Sequence, residues 1–236
     1  MGSMNMKRAT IVLTASVISA VSLSYFVAFA QSPELEQKMM AIKQASAENK
    51  QKLAMYSWQE TETISIKGNV KDTKVYQVHM MDGQQQKVLL EDAKAAAPSG
   101  GRMKQRVIAN KTEEYQEYGQ SIGALAKQYT TPNPDLLMQA KQAGNVSFQP
   151  GAGTISLVIK NYLKPGDAVT MTLSEQTHAP VSVQISSYLS DPSDVVTIAA
   201  QFAQLPDGTN HVSTTNIDGV SKQLTINEQN ANYQKM

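Results

Sequence analysis

The second half of the chain alternates apolar and polar residues in six segments, and this pattern constrains the fold more than any other feature. A period of two places successive side chains on opposite faces of a β-strand. Proline, glycine and aspartate turns separate the segments at a spacing of ~10–12 residues, which is typical of an antiparallel meander. From residue 154 onward the segments are TISLVIKNYL, AVTMTLSEQ, VSVQISSYL, VVTIAAQFAQ, TNHVSTTN and VSKQLTINEQ. Because the clearest of them have one apolar face, the predicted sheet needs a cover on that face.

Three further strands precede the meander. In the segment WQETETISIKG, the residues Trp58, Ile64 and Ile66 share one predicted face. The segment TKVYQVHMMDG follows and ends at the turn signal Asp82-Gly83, and QQQKVLLED gives the third strand. The stretch AKAAAPSGGRMK then indicates a flexible loop.

Three segments have helical composition. Residues 33–56 repeat apolar side chains at spacings of three and four, which predicts a long helix. Residues 112–143 predict a helical pair between the strands, in which Thr112 caps the first helix. Asn133 and Pro134 start the second helix, and Gly144 can end it. About nine strands and three helices predict an α+β fold: a strongly curved antiparallel sheet, or unclosed half-barrel, with an N-terminal helix and an inserted helical lid on its concave face.

The beginning of the chain predicts an export signal. Lys7 and Arg8 precede an uncharged stretch, residues 9–30, which ends in the small-x-small tripeptide AFA that signal peptidase accepts. A retained membrane anchor is the alternative, because about 20 apolar residues can span a bilayer. We expect residues 1–30 to be a cloning scar and a cleavable signal peptide, and residues 31–236 to be a single half-barrel domain. The expected location is periplasmic or secreted.

Composition excludes several classes of function. Removing Lys7 and Arg8 from the 21 basic residues leaves 19 against 20 acidic ones, so the exported part lacks a basic footprint for nucleic acid. The chain has no cysteine, which excludes disulfides, thiolate nucleophiles and thiolate metal sites. The sequence shows no phosphate loop and no His, Asp and Glu cluster with metal-ligand spacing. We therefore expect no cofactor, no metal and no catalytic residue.

One motif suggests an enzyme as an alternative. Gly119, Ser121 and Gly123 match G-x-S-x-G, which in α/β-hydrolases places a serine on a sharp turn between a strand and a helix. Asp194 and His211 follow in the order of a catalytic triad. The residues before Ser121 are helical in composition, however, and no parallel sheet is predicted. We interpret the two glycines as positions where a helix lies close to the sheet.

A second motif suggests copper, because imidazole and thioether ligands suit Cu(I). His79, Met80 and Met81 are consecutive, but on a strand Met80 points away from the other two, so the three cannot chelate as a unit. Methionine also fills cores and lines surfaces that accept apolar ligands, and we favour that interpretation. His178 and His211 are predicted in surface turns.

Two acidic residues lie on the apolar face of the first strand. Glu60 and Glu62 alternate on the face that carries Trp58. If this face looked into the concavity, they would form a carboxylate pair. We expect instead that the strand is exposed at that end.

The order of elements resembles the periplasmic lipoprotein-carrier family, the LolA/LolB-like group of outer-membrane lipoprotein-sorting proteins. The resemblance rests on the helix of residues 33–56, the strand YSWQETETISIKG, the helical pair of residues 112–143 and the meander of residues 154–228. It implies an unclosed half-barrel and a carrier of lipoproteins. Such carriers typically place an arginine on an early strand, where it ties the lid shut. Between Arg8 and Arg102 this chain has no arginine, and Lys67 is at best a loose substitute.

These observations predict a periplasmic carrier that holds a lipid, lipoprotein or other apolar ligand in its groove and passes it to a partner. A non-enzymatic envelope interaction protein with a filled core is the alternative, and a serine hydrolase using Ser121 is the second. We expect a monomer that contributes to outer-membrane biogenesis and binds no nucleic acid. The predicted groove lining is Trp58, Ile64, Ile66, Ile155, Leu157, Ile159, Val169, Met171 and Leu173.

Overall fold

The computed structural model describes residues 33–81, 84–94, 102–130 and 133–236. The predicted export signal and the turn at Asp82-Gly83 lie outside the described residues, as does most of the predicted loop before residue 102. Within the described residues, no helix has both the length and the apolar character needed to cross a bilayer.

In the described residues, ten antiparallel strands form one sheet, and five of its nine strand pairs contain a register shift. The strands are β1 (Tyr56–Ile66), β2 (Asn69–Met81), β3 (Gln84–Lys94), β4 (Val146–Pro150), β5 (Thr154–Lys160), β6 (Ala168–Ser174), β7 (Pro180–Tyr188), β8 (Val195–Gln204), β9 (Asn210–Gly219) and β10 (Leu224–Lys235). Their order is β3-β2-β1-β10-β9-β8-β7-β6-β5-β4, so β3 and β4 are free edges and the sheet is not closed. The predicted unclosed half-barrel is confirmed.

The registers explain why one face of the sheet is apolar. Ile159, Val169 and Ile185 lie opposite one another on β5, β6 and β7. In the neighbouring row, Leu157 lies opposite Met171. Both are two residues along their strands from the first row, so their side chains lie on the same face of the sheet. Directly opposed side chains lie ~5 Å apart, so each row packs as a continuous strip across the strands. We call this surface the inner face.

Strand β4 is the element that the sequence analysis missed. All five of its residues, VSFQP, are half-buried or exposed, and it pairs with β5 at the edge of the sheet. A short edge strand that ends in proline carries too weak an alternation to be recognised.

The part of the chain that the structure describes also forms three helices: α1 (Pro33–Leu53), α2 (Arg102–Thr130) and α3 (Pro134–Gln142). The predicted start of the second helix at Thr112 is wrong, because α2 already begins at Arg102. Nothing in the ten residues before Thr112 interrupts a helix, since neither proline nor glycine occurs there. The predicted start of α3 is confirmed: the Asn133 side chain accepts the backbone N–H groups of Asp135 and Leu136.

Helices α2 and α3 cover the inner face with their apolar sides. Ile122, Leu125, Tyr129 and Leu137 belong to the same buried core as the inner-face residues of the sheet. Gly219 on β9 allows α2 to come close, because a Cβ at this position would lie 2.5 Å from Ile122 Cδ1 and 2.6 Å from Tyr118 Cε1. A glycine of the sheet therefore allows α2 to pack closely against it.

Replacing Gly219 with alanine should force α2 away from the sheet. The added methyl group overlaps the Tyr118 ring, and such overpacking costs about 1–3 kcal/mol of folding free energy. Urea denaturation of Gly219→Ala measures this cost. The neighbouring exposed residue supplies the control, because Val220→Ala should leave the midpoint nearly unchanged. Equal midpoints for the two variants would contradict close docking of α2.

Candidate functional site

Most of the predicted groove lining lies together in the core beneath α2 and α3. The inner-face residues that share this buried core are Ile64, Leu157, Ile159, Val169, Met171 and Leu173. Ile66 and Ile155 are partly buried and pack against its margin. The structure thus brings eight of the nine residues together in or against one core. Whether this part of the inner face holds a ligand stays a prediction.

Trp58 points to the same face but lies outside this core. Its indole N–H donates to Asn230 Oδ1 at 3.0 Å, and its ring stacks on Tyr233 with the centroids 5.4 Å apart. Tyr233 in turn contacts His211, at 4.2 Å between ring centroids. Six residues along a strand separate Trp58 from Ile64, or ~20 Å, and Trp58 is not a member of the buried core that Ile64 joins.

On β1, the two acids between Trp58 and Ile64 are buried, although the sequence predicted an exposed strand end. Glu60 is 3% exposed and Glu62 is 1% exposed. Both point to the inner face, as Trp58 and Ile64 do. Neighbouring strands add further buried charges to this surface. We call the set of Glu60, Glu62, Asp72, Lys74, Lys87 and Glu228 the carboxylate cluster.

Two lysines in the cluster hold three of its four carboxyl groups. Lys87 on β3 forms an ion pair with Glu60. The ammonium group of Lys74 lies 3.3 Å from Asp72 Oδ2 and 3.6 Å from Glu62 Oε1. Ion pairs of this kind are retained in an interior only where opposite charges meet closely.

The fourth carboxyl group, that of Glu228, faces another acid. In the register of β1 and β10, Glu228 lies directly opposite Glu62. Like charges at directly opposed positions destabilise a sheet. Moreover, Glu62 Oε1, Asp72 Oδ1 and Glu228 Oε1 are all buried without a hydrogen-bond partner. The cluster therefore contains buried acceptors that the fold itself leaves unsatisfied.

Burial raises the pKa of two of these acids. Desolvation raises the pKa of Glu62 to about 7, although Lys74 and Lys87 act in the opposite direction. Desolvation together with the charges of Glu60 and Glu62 raises the pKa of Glu228 to about 8. Near neutral pH the cluster consequently retains protons that exposed carboxyl groups would lose.

Hydrogen bonds from two tyrosines of α2 anchor the helix to the sheet. The Tyr118 hydroxyl donates to Asp194 Oδ1 at 2.7 Å, and Ser221 Oγ donates to the same oxygen at 2.6 Å. Near the end of the helix, the Tyr129 hydroxyl donates to the buried Asp167 at 2.5 Å. Burial is the main cause that raises the pKa of both tyrosines, which therefore stay neutral.

These anchors were not recognised in the sequence, because tyrosines on a helix are ordinarily interpreted as core residues. Asp167 also accepts the backbone N–H groups of Tyr162, Leu163 and Lys164, so one carboxylate organises the turn before β6 and holds α2. The only sequence signal was the turn at residues 165–167. In this chain tyrosine and aspartate side chains therefore tie the helical cover to the sheet.

The hydrolase geometry is not formed. Ser121 lies inside the continuous helix α2, and its hydroxyl donates to the Glu117 carbonyl at 2.9 Å, so it does not occupy a strand-to-helix turn. Asp194 bonds to Tyr118 and Ser221, as described above. His211 is buried on β9, where its Nδ1 lies 3.0 Å from the Val212 carbonyl oxygen. The predicted surface position of His211 is therefore wrong.

The residues of the copper motif lie along strand β2. His79 and Met80 are half-buried on β2, and Met81 is 53% exposed. His178 is in a turn, as predicted, with a positive φ of 57°. Across the ranges that the structure describes, no three His, Asp or Glu side chains are placed to hold a metal ion.

Comparison with known proteins gives similarities of backbone arrangement. A DUF1329 family protein from Desulfovibrio piger superposes with a TM-score of 0.41 and 9% identity, covering 92% of this chain and 93% of that chain. A LolA superfamily protein from Nitrosomonas europaea superposes with a TM-score of 0.35 and 7% identity, covering 84% and 93%. The second carries the family name to which the sequence resemblance pointed. No family model matches the chain, and no curated protein matches it.

Proposed function

We propose that this protein is an exported carrier that binds an apolar or amphipathic ligand between the inner face and the α2–α3 cover, and then releases it to a partner. One observation carries the proposal. The apolar inner face of an open sheet is covered by two helices that hold to it through side chains. Such a cover can separate from the sheet without breaking any β-ladder.

The free energy gained by burying the helix side chains on the inner face is comparable to that gained by burying a ligand chain there. A buried aliphatic side chain such as Ile122 or Leu125 contributes about 1.5–3 kcal/mol when it leaves water. A ligand chain that replaces the helix on the same surface recovers about 0.8 kcal/mol for each buried CH₂ group. A chain of about ten carbons therefore offsets the loss of several helix side chains.

The compartment and the cargo are parts of the same proposal. The positive start and the uncharged stretch of residues 9–30 favour export to the periplasm, with residues 31–236 as the mature chain. The resemblance to lipoprotein carriers favours a lipid or a lipoprotein as the cargo and an envelope protein as the recipient. A monomer suffices for this role, since the inner face and its cover belong to one chain.

The absence of cysteine allows a direct test of the cover. Ile122→Cys places a single thiol beneath α2 at a fully buried position. We expect this thiol to react slowly with a maleimide. The rate should rise at least tenfold when dodecyl maltoside, below its critical micelle concentration, displaces the helix from the sheet. Mass spectrometry of the labelled protein gives the rates.

Ser121→Cys is the matched control, because this neighbouring position on the same helix is exposed. Its thiol should react quickly, with or without the amphiphile. In parallel, native mass spectrometry of the mature protein, purified without detergent, should reveal a co-purifying lipid or acylated peptide. An Ile122→Cys thiol that stays protected at every amphiphile concentration, together with a ligand-free mass, would refute the carrier function.

Two observations favour the second candidate, an envelope interaction protein. Ile122 and Leu137 are fully buried, so the chain's own helices fill the inner face. The edge strand β3 also exposes Val88, Leu89 and Leu90 at 55%, 50% and 50%. Unpaired backbone groups on such an edge can accept a strand from another protein. The same labelling experiment separates the candidates, because a purely structural cover stays closed.

A further inference from the structure

The carboxylate cluster continues the apolar core without a gap. Ile64 is two residues from Glu62 on β1, and Ile226 is two residues from Glu228 on β10. All four side chains are buried on the inner face, and residues two apart on a strand are ~7 Å from each other. An apolar chain lying on Ile64 and Ile226 would thus bring its polar end to Glu62 and Glu228.

The charges of the cluster do not balance when all of its acids are ionised. Four carboxylates then face two ammonium groups, those of Lys74 and Lys87. Buried polar atoms in folded proteins are almost always hydrogen-bonded, and an exception requires a specific reason. Here three acids have such an atom: Glu62, Asp72 and Glu228, at 1%, 5% and 4% exposure. A bound cation would supply both the missing charge and the missing donors.

The chemistry of the cluster selects the kind of cation. Metal ions are disfavoured, because within the described part of the chain no three acidic or histidine side chains are placed as metal ligands. A primary ammonium group offers three N–H donors, which matches acceptors distributed over separate side chains. Hydrogen bonds between ammonium and carboxylate are also the stronger, charge-assisted kind. An anionic head group would be repelled by Glu62 and Glu228 in their ionised forms.

We propose that the ligand is a cationic amphiphile, whose ammonium head binds Glu62 and Glu228 while its chain lies on the apolar inner face. This inference rests on the carrier function proposed above and adds the chemical class of the head group. Lys74 and Lys87 are positioning residues, since they hold the neighbouring carboxyl groups. Asp72 Oδ1 is a further buried acceptor of the cluster without a hydrogen-bond partner.

The raised pKa values of Glu62 and Glu228 make the affinity for the ammonium head depend on pH. The ammonium head must displace their protons, so its affinity should increase from pH 6 to pH 9. The charged and titratable groups that act on these acids are Glu60, Asp72, Lys74, Tyr76 and Lys87. An alkylammonium ion stays charged throughout, since amines of this type titrate near 10.4.

The test compares three probes that share a twelve-carbon chain: dodecylammonium, dodecyl maltoside and dodecyl sulfate. Isothermal titration calorimetry at pH 8, below the micellar concentrations, gives their affinities for the mature protein. Dodecylammonium should bind at least tenfold more tightly than the other two. In the Glu62→Gln/Glu228→Gln double variant this preference should disappear, with the affinity for dodecyl maltoside unchanged.

Glu113→Gln is the matched control, because Glu113 is an exposed acid on α2 outside the cluster. It should keep the full preference for dodecylammonium. If the double variant does not fold, the Glu62→Gln single variant should still lower the ratio of ammonium to neutral affinity. Equal binding of the three probes would overturn the cationic head while leaving the carrier function intact. If none of them binds, both proposals fail.

Discussion

Asp167→Ala should lower the free energy of unfolding by about 3–5 kcal/mol, because several buried donors lose their acceptor together. The buried Asp167 carboxylate accepts the N–H groups of Tyr162, Leu163 and Lys164 and the hydroxyl of Tyr129. Alanine leaves all four donors without this partner and also releases the end of α2. Urea denaturation followed by circular dichroism measures the change.

A second aspartate in a turn provides the control. Asp191 also accepts a backbone N–H, that of Ser193 at 2.8 Å, but it is exposed, so water can replace it. Asp191→Ala should therefore cost less than about 1 kcal/mol. Tyr129→Phe removes only the hydroxyl that donates to Asp167, and it should lower the free energy of unfolding by about 1 kcal/mol. Similar midpoints for Asp167→Ala and Asp191→Ala would mean that Asp167 does not organise the turn.

The sheet could be predicted because its signal is local. Segments such as the one around Val169 and Met171 alternate cleanly, and turn residues mark their ends. A sheet with an apolar face on many strands needs a cover, and the predicted helical pair could supply it. The start of α2 and the short strand β4 escaped prediction because neither carries a clear boundary signal.

The carboxylate cluster could not be predicted because it depends on long-range pairing. Alternation alone assigns Glu60 and Glu62 to a strand face, and isolated acids on a face are usually solvated. Only the pairing of β1 with β10 places Glu228 opposite Glu62 and carries the acids into the interior. The same pairing, together with β9, brings Trp58, Tyr233 and His211 into contact. Contacts between strands as far apart in sequence as β1 and β10 leave no signal in either segment alone.

Glu228→Gln should make the protein more stable at high pH. The pKa of Glu228 is raised above its ordinary value of 4.5 by burial and by neighbouring acids, so between these values the folded state binds a proton that the unfolded chain has lost. Stability from this group is full below about pH 4.5 and decreases as the pH rises toward 8, by up to ~1.4 kcal/mol per pH unit. Glutamine cannot ionise, so the variant avoids that loss. The free energy of unfolding of the variant should exceed that of the parent by at least ~2 kcal/mol at pH 9 and match it near pH 5.

Urea midpoints at pH 5, 7 and 9 test this expectation. Glu62→Gln should also raise the stability at high pH, but over a narrower range of pH, because the pKa of Glu62 is raised only to about 7. Glu113→Gln, at an exposed position, should follow the parent at every pH. A parent protein whose stability does not change between pH 6 and pH 9 would contradict the buried, partly protonated cluster. Because a bound ammonium ion would supply the missing charge, dodecylammonium should reduce the loss of stability at high pH in the parent but not in the double variant.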